Sequence, residues 1–166
     1  MGLPDAEALL AQLADRIRPD VNADTRLVGI HTGGVWIAHR LQEMLGIAGP
    51  VGTIDISFYR DDYKQKGLSA AVRPSDLPFE VEKAEIILVD DVLFTGRTIR
   101  AAMNEIFDYG RPTAVRLAAL IDRGGRELPI YAQYLGQRVD VAPDEVIELQ
   151  RSADGRLSLQ LTRRAQ

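Results

Sequence analysis

The stretch from Ala84 to Thr98 limits the possible folds of this 166-residue chain more than any other. It begins with a nearly continuous apolar run, Ala84 to Val89, which is typical of a central strand buried within a parallel sheet. Two aspartates and a short turn follow, and apolar side chains then recur at helical spacing over residues 99–107. Because a strand that leads directly into a helix is the repeating unit of α/β domains, this stretch predicts an α/β fold.

The rest of the chain continues the alternation of helix and strand. Apolar spacing predicts a helix from Pro4 to Arg18, with Asp5 as its N-cap, and a second helix that follows a Thr-Gly-Gly turn and ends at Gly46. Strands are predicted at 26–31, 52–60, 84–89 and 115–121, in short pieces between 129 and 150, and on both sides of a hairpin turn at Asp154-Gly155. We therefore predict one α/β domain over residues 1–166, with a central, mainly parallel sheet flanked by helices.

Composition excludes several classes of protein. Hydrophobic residues make up 46% and charged residues 27%, as in ordinary globular domains, and no apolar run approaches the length of about 20 residues that spans a bilayer. The N-terminus carries acidic residues where a secretory signal carries positive charge, so we predict a cytoplasmic protein with no membrane association. The absence of cysteine excludes disulfides, and with only two histidines we predict no metal site built from protein ligands alone.

The residues after the apolar run are suited to bind a phosphorylated sugar. Asp90 and Asp91 follow the strand, at the sheet edge where ligands of open α/β folds bind, and adjacent carboxylates can accept hydrogen bonds from a vicinal diol. Thr95 to Thr98 form the turn into the helix, where outward N–H groups, the helix dipole and hydroxyls favour an anion. The alternative is a strand that ends in two surface aspartates before a threonine-capped helix. The complete string favours a 5-phosphoribosyl group, and it lacks the lysine of a Walker A loop.

Two further segments are candidates for contact with a ligand. Thr32, Gly33 and Gly34 follow the first predicted strand, and N–H groups in such a turn can bind an anion. Residues 61–78 contain charge, glycine and proline without apolar periodicity, as many functional lids do. The alternative for the second segment is a solvated loop whose charges have no specific partner.

These motifs resemble those of a known family. The string IILVDDVLFTGRT at 86–98 is similar to the phosphoribosyl-pyrophosphate (PRPP) signature of type I phosphoribosyltransferases, and the chain from Leu27 to Val139 resembles the PyrR family of pyrimidine operon regulators and uracil phosphoribosyltransferases. The strings that carry this resemblance are LVGIHTGG (27–34), IDISFYRDD (54–62), DDVLFTGRTIRAAM (90–103), GRP (110–112) and DRGGRELPI (122–130).

The resemblance implies a type I fold with a small hood and a flexible lid loop, and a homodimer or higher oligomer. It also implies that uracil and PRPP are converted to UMP and pyrophosphate, with Mg²⁺ bound through the diphosphate of PRPP, and that pyrimidine-operon mRNA is a further partner. The residues expected in catalysis are Asp90, Asp91 and Arg60. The residues expected to bind substrate are Thr32, Gly33, Gly34, Val89, Val92, Leu93, Phe94, Thr95, Gly96, Arg97, Thr98, Arg123 and Gln137.

One position departs from the family's pattern, which usually has arginine where Gly33 stands. The chain therefore lacks a charged phosphate donor in the predicted pyrophosphate loop. An RNA-binding regulator with weak or no catalysis is the alternative function. It is disfavoured by the net charge of −4 and by an N-terminal helix that lacks basic character. A purine phosphoribosyltransferase is a third possibility, disfavoured by the IDISFYRDD and DRGGRELPI strings.

Overall fold

The computed structural model describes residues 2–56 and 75–165. The described helices are α1 (Ala6–Ile17), a short 3-10 helix (Arg18–Asp20), α2 (Gly33–Leu45) and α3 (Arg97–Tyr109). The described strands are β1 (Thr25–Ile30), β2 (Gly52–Ile54), β3 (Glu85–Leu93), β4 (Ala114–Asp122), β5 (Tyr134–Arg138), β6 (Glu145–Arg151) and β7 (Leu157–Arg163). None of the described helices is long and apolar enough to cross a membrane.

A parallel sheet of five strands, in the order β2-β1-β3-β4-β5, forms the centre of the molecule. The central strand is β3, which has a separate apolar core on each of its faces: Val89 belongs to one and Leu88 to the other. The predicted α/β class with a mainly parallel sheet is confirmed. The assignment of all 166 residues to a single domain stays a prediction.

The ends of the helices follow the expected local chemistry. The Asp5 side chain accepts a hydrogen bond from the N–H of Glu7 at 3.1 Å and caps α1. Gly46 ends α2 in the left-handed conformation, at φ 62°, which glycine adopts without strain. The predicted inner face of α3 is wrong at Phe107, which is 54% exposed because it lies beyond the buried stripe that ends at Ile106.

Two strand boundaries differ from those predicted. β3 continues past Val89 to Leu93 because parallel pairing with β4 extends to Leu93 and Asp122. β2 ends at Ile54, so residues 55 and 56 of the strand predicted at 52–60 are not part of it, and residues 57–60 lie outside the described residues.

The predicted lid at 61–78 is only partly described. Its last residues are not free loop, because Asp76 and Thr53 exchange backbone hydrogen bonds of 2.7 and 2.8 Å beside β2. Leu77 packs partly buried against the core. The rest of the lid, residues 61–74, lies outside the described residues.

A hairpin at the C-terminal end of the described chain packs beside the N-terminal helix. β6 and β7 pair antiparallel, which confirms the predicted turn at Asp154-Gly155. Glu7 on α1 accepts two hydrogen bonds from Arg40 on α2, at 2.7 and 3.0 Å, and a third from the N–H of Leu157 at 2.9 Å. One carboxylate therefore joins α1, α2 and β7.

We predict that Glu7→Gln lowers the free energy of unfolding by about 1 kcal/mol at neutral pH, the usual size of a partly screened ion pair. The hydrogen bonds from Arg40 hold the pKa of the Glu7 carboxyl below its ordinary value of 4.5, against the opposing effect of burial. A group whose pKa is lowered by folding stabilises the protein above its unfolded-state pKa and stops doing so as it is protonated. The difference between wild type and variant in urea unfolding should therefore shrink as the pH falls below 4.5. A difference that is independent of pH would contradict this account.

Candidate functional site

The predicted site residues follow three neighbouring strands of the sheet. Gly33 follows β1, Asp91 lies near the end of β3, and Arg123 follows β4. Since β1, β3 and β4 are adjacent and parallel, their carboxyl ends meet at one edge of the sheet. Three segments that are far apart in sequence are thereby brought together.

The two aspartates are held by the backbone beside them. Asp90 is 7% exposed, and its Oδ1 accepts a hydrogen bond from the N–H of Asp91 at 2.9 Å. Asp91 is half-buried, and its Oδ1 accepts from the N–H of Val92 at 2.8 Å. Because each carboxylate is fixed by a local N–H, the pair forms an ordered set of oxygens at the strand end.

The Thr-Gly-Gly turn lies directly against this carboxylate pair. A Cβ atom at Gly33 would lie 2.4 Å from Oδ2 of Asp91, and one at Gly34 would lie 2.3 Å from the carbonyl oxygen of Val89. Both distances are far below a normal contact. Glycine at these positions therefore allows the start of α2 to approach the end of β3. Thr32 is exposed at the N-cap of α2, so the predicted pyrophosphate loop reaches solvent beside the aspartates.

The turn between β3 and α3, residues 94–96, brings N–H groups to the same edge. Gly96 has φ 94°, a conformation that favours glycine, and it is the N-cap of α3. Gly96 has no side chain with which to cap α3, but the Thr95 hydroxyl, one residue earlier, accepts from the N–H of Arg97, the first residue of the helix, at 3.2 Å. The first N–H groups of a helix have no partner within it, so they suit an anion.

The loop between β4 and β5, residues 123–133, lies against the β3–α3 turn. The N–H groups of Glu127 and Leu128 donate to the carbonyl oxygen of Thr95 at 2.9 and 3.1 Å. The Arg126 guanidinium donates to the carbonyl oxygen of Phe94 and to Oδ2 of Asp122, each at 2.5 Å. Sequence reasoning missed Arg126, whose only signal is its place four residues after an acidic strand end.

Arg126 and Asp122 form a close ion pair. Their side chains are 11% and 10% exposed. Burial would raise the pKa of Asp122, but hydrogen bonds from Arg126 and from the N–H of Gly124 outweigh it and lower the pKa. Asp122 is thus a structural anion at neutral pH.

Some predicted binding residues have other contacts. Arg123 is 9% exposed, stacks 4.1 Å from the centre of the Phe94 ring, and donates to the carbonyl oxygens of Glu145 and Ala142 at 2.7 and 3.3 Å. Val89 and Leu93 are 0% and 1% exposed, so their side chains belong to the core. Val92 is half-buried against one core.

The remaining predicted residues lie at the rim or beyond. Gln137 is exposed on β5, paired with Ile121, and Arg97 forms an exposed ion pair with Glu127 at 3.0 Å. Arg60 falls outside the described residues. Among residues 2–56 and 75–165, no group of three or more His, Asp or Glu side chains could hold a metal ion.

Comparison with known proteins identifies the family. Residues 3–147 match the model described as the phosphoribosyl transferase domain. The chain is 50% identical over 153 residues to the Bifunctional protein PyrR of Pseudomonas savastanoi pv. phaseolicola, and the match covers 90% of each. This chain belongs to the PyrR family of phosphoribosyltransferases. A second PyrR relative, from Pseudomonas fluorescens, is 48% identical over 164 residues, covering 96% of this chain and 98% of the relative.

Solved structures show the same fold at much lower identity. A hypoxanthine-guanine phosphoribosyltransferase from Bacillus anthracis superposes with a TM-score of 0.67 and 20% identity, covering 88% of this chain and 86% of that chain. A hypoxanthine phosphoribosyltransferase from Staphylococcus aureus has a TM-score of 0.66 and 18% identity, covering 88% and 80%. The type I fold inferred from the motifs of this PyrR family member is thereby confirmed.

The different surroundings of Gly33 and Gly34 predict that an added methyl group lowers stability by different amounts at the two positions. Gly34→Ala should lower the free energy of unfolding by about 1–3 kcal/mol, because the new Cβ meets the backbone carbonyl of Val89. Gly33→Ala should cost less stability, because its Cβ meets only the Asp91 side chain, which can shift by giving up its hydrogen bond with the N–H of Val92. Urea unfolding measures both, and Gly2→Ala, whose Cβ meets nothing within 4 Å, is the control. Equal costs for Gly33→Ala and Gly34→Ala would contradict the described packing.

Proposed function

We propose that this protein is a uracil phosphoribosyltransferase that converts uracil and PRPP to UMP and pyrophosphate. The observation that carries the proposal is the juxtaposition of Asp90 and Asp91 with the Gly33 turn on one side and the start of α3 on the other. A carboxylate pair suits the ribose hydroxyls, the helix start suits the 5-phosphate, and the glycine turn suits the diphosphate. The proposal places this reaction in the cytoplasm.

In this proposal the protein positions PRPP and stabilises charge. Departure of the diphosphate from the anomeric carbon leaves oxocarbenium character, which the nearby Asp90 and Asp91 carboxylates stabilise electrostatically. N–H groups of the Gly33-Gly34 turn and the cation of Arg60 bind the leaving diphosphate. No side chain acts as a nucleophile, so the rate gain comes from orientation and from preorganised charge.

The carboxylate pair also fits the Mg²⁺ that accompanies PRPP. Carboxylate oxygens and substrate phosphates are the ligands that Mg²⁺ prefers. Asp90 and Asp91 would offer such oxygens at the place proposed for the ribose, beside the diphosphate through which the ion would be bound. Mg²⁺ would neutralise charge on the leaving diphosphate.

The direct test is turnover of PRPP with Mg²⁺ and each nucleobase in turn, followed by release of pyrophosphate. We expect uracil to be the preferred base, and we expect Asp91→Asn to weaken PRPP binding roughly tenfold to a hundredfold, the range for hydrogen bonds to charged groups. Asp108→Asn, which makes the same charge change at an exposed position of α3, is the matched control. Normal PRPP binding in Asp91→Asn would refute the assignment of this carboxylate.

A regulatory function is the second candidate, favoured by the word "Bifunctional" in the names of the relatives. A site that holds a ribose, a 5-phosphate and a pyrimidine binds UMP as readily as it binds the substrates. We propose that UMP bound there changes the affinity of the protein for pyrimidine-operon mRNA. The homodimer or higher oligomer expected from the family stays a prediction.

A gel shift with pyrimidine-operon leader RNA, at several salt concentrations, tests this second function. We expect binding that tightens when UMP is added and weakens as salt rises, because phosphate contacts release counterions. Binding that ignores UMP would remove the regulatory proposal and leave the enzymatic one intact.

A further inference from the structure

We infer that Arg126 is a positioning residue for phosphate binding, because it orients the backbone N–H of Thr95, one of the groups proposed to receive the 5-phosphate. This inference rests on the proposed function and assigns a role to a residue outside the predicted site. Arg126 lies in the β4–β5 loop but donates to the carbonyl oxygen of Phe94 in the β3–α3 turn.

The geometry of the peptide bond carries the argument. In a trans peptide the C=O and the following N–H point in opposite directions. In the described chain only the His31–Thr32 bond is cis, so the peptides of the β3–α3 turn are trans. The Phe94 carbonyl points toward Arg126, and the N–H of Thr95 therefore points away from the β4–β5 loop.

The next peptide unit is held in the same way. The carbonyl oxygen of Thr95 accepts from the N–H groups of Glu127 and Leu128, so the N–H of Gly96 also points away from that loop. Within residues 2–56 and 75–165, neither the Thr95 nor the Gly96 N–H donates to another residue. Two adjacent donors are thus aligned and left available at the start of α3.

The charge of Arg126 adds to this orientation. A cation that donates to a carbonyl draws electron density from the peptide, so the N–H of Thr95 becomes a better donor to an anion. Asp122 fixes the guanidinium through its second nitrogen, in an ion pair that is about nine-tenths buried. Arg126 therefore acts on the phosphate through the backbone.

The test measures binding of ribose 5-phosphate to the full-length protein by calorimetry. We expect Arg126→Gln to weaken this binding about tenfold, the usual worth of one charge-assisted hydrogen bond. The matched control makes the same change at Arg40 on α2 and should leave affinity within about twofold. Arg40→Gln removes a half-buried ion pair on α2 and controls for a general loss of stability.

Arg126→Lys keeps the test valid if Arg126→Gln does not fold. Lysine preserves a charge beside Asp122 but lacks the fork that reaches the Phe94 carbonyl at the same time. We expect its KM for PRPP to rise several-fold while kcat stays within about twofold. A merely structural role would instead lower kcat through loss of active protein and leave KM unchanged.

The outcomes separate this inference from the proposed function. Wild-type protein that binds ribose 5-phosphate, together with a folded Arg126→Gln variant of equal affinity, would overturn the inference alone. If Arg126→Gln does not fold, an unchanged KM in Arg126→Lys would do the same. Wild-type protein that neither binds ribose 5-phosphate nor turns over PRPP would overturn both.

Discussion

The parallel pairing of β3 with β1 and β4 is the constraint on which the site depends. β3 is central, with an apolar core on each face, so burial fixes its position in the sheet. Each neighbouring strand runs the same way and ends at the same edge. The aspartate pair, the glycine turn and the β4–β5 loop meet there because each lies at the carboxyl end of one of these three adjacent parallel strands.

This edge is built largely from backbone groups rather than from long side chains. The start of α2 and the end of β3 touch through Gly33, Gly34 and the carbonyl of Val89. The β3–α3 turn and the β4–β5 loop are joined by N–H to carbonyl bonds and by Arg126. Backbone donors have little conformational freedom, so a site made from them is preorganised for a highly charged ligand.

Much of this arrangement could be predicted from the sequence, because strong local signals coincide with the fold. The apolar run before Asp90, the cap at Asp5 and the stop at Gly46 each have one dominant physical cause. The aspartate pair was recognisable as a binding site because a predicted strand directly precedes it and a predicted helix follows after a short turn. The PyrR family was recognisable only from the motif strings, because the patterns of strands, helices and caps do not distinguish one family from another.

Features that depend on tertiary contact could not be predicted. The extension of β3 to Leu93 is decided by pairing with β4, and Phe107 is exposed because it lies outside the buried stripe of α3. Arg123 fits a binding role by position, yet it donates to carbonyls near the C-terminal hairpin. The partner of Arg126 is a carbonyl 32 residues earlier in the chain, a contact that no spacing rule indicates.

The packing of Gly33 against Asp91 also bears on how such proteins diversify. The carboxylate at position 91 occupies the volume that a side chain at position 33 would need. A larger residue at 33 therefore displaces the carboxylate at 91 from the place where it is held here. Positions 33 and 91 are therefore sterically coupled, and the choice of residue at one limits the room left for the other.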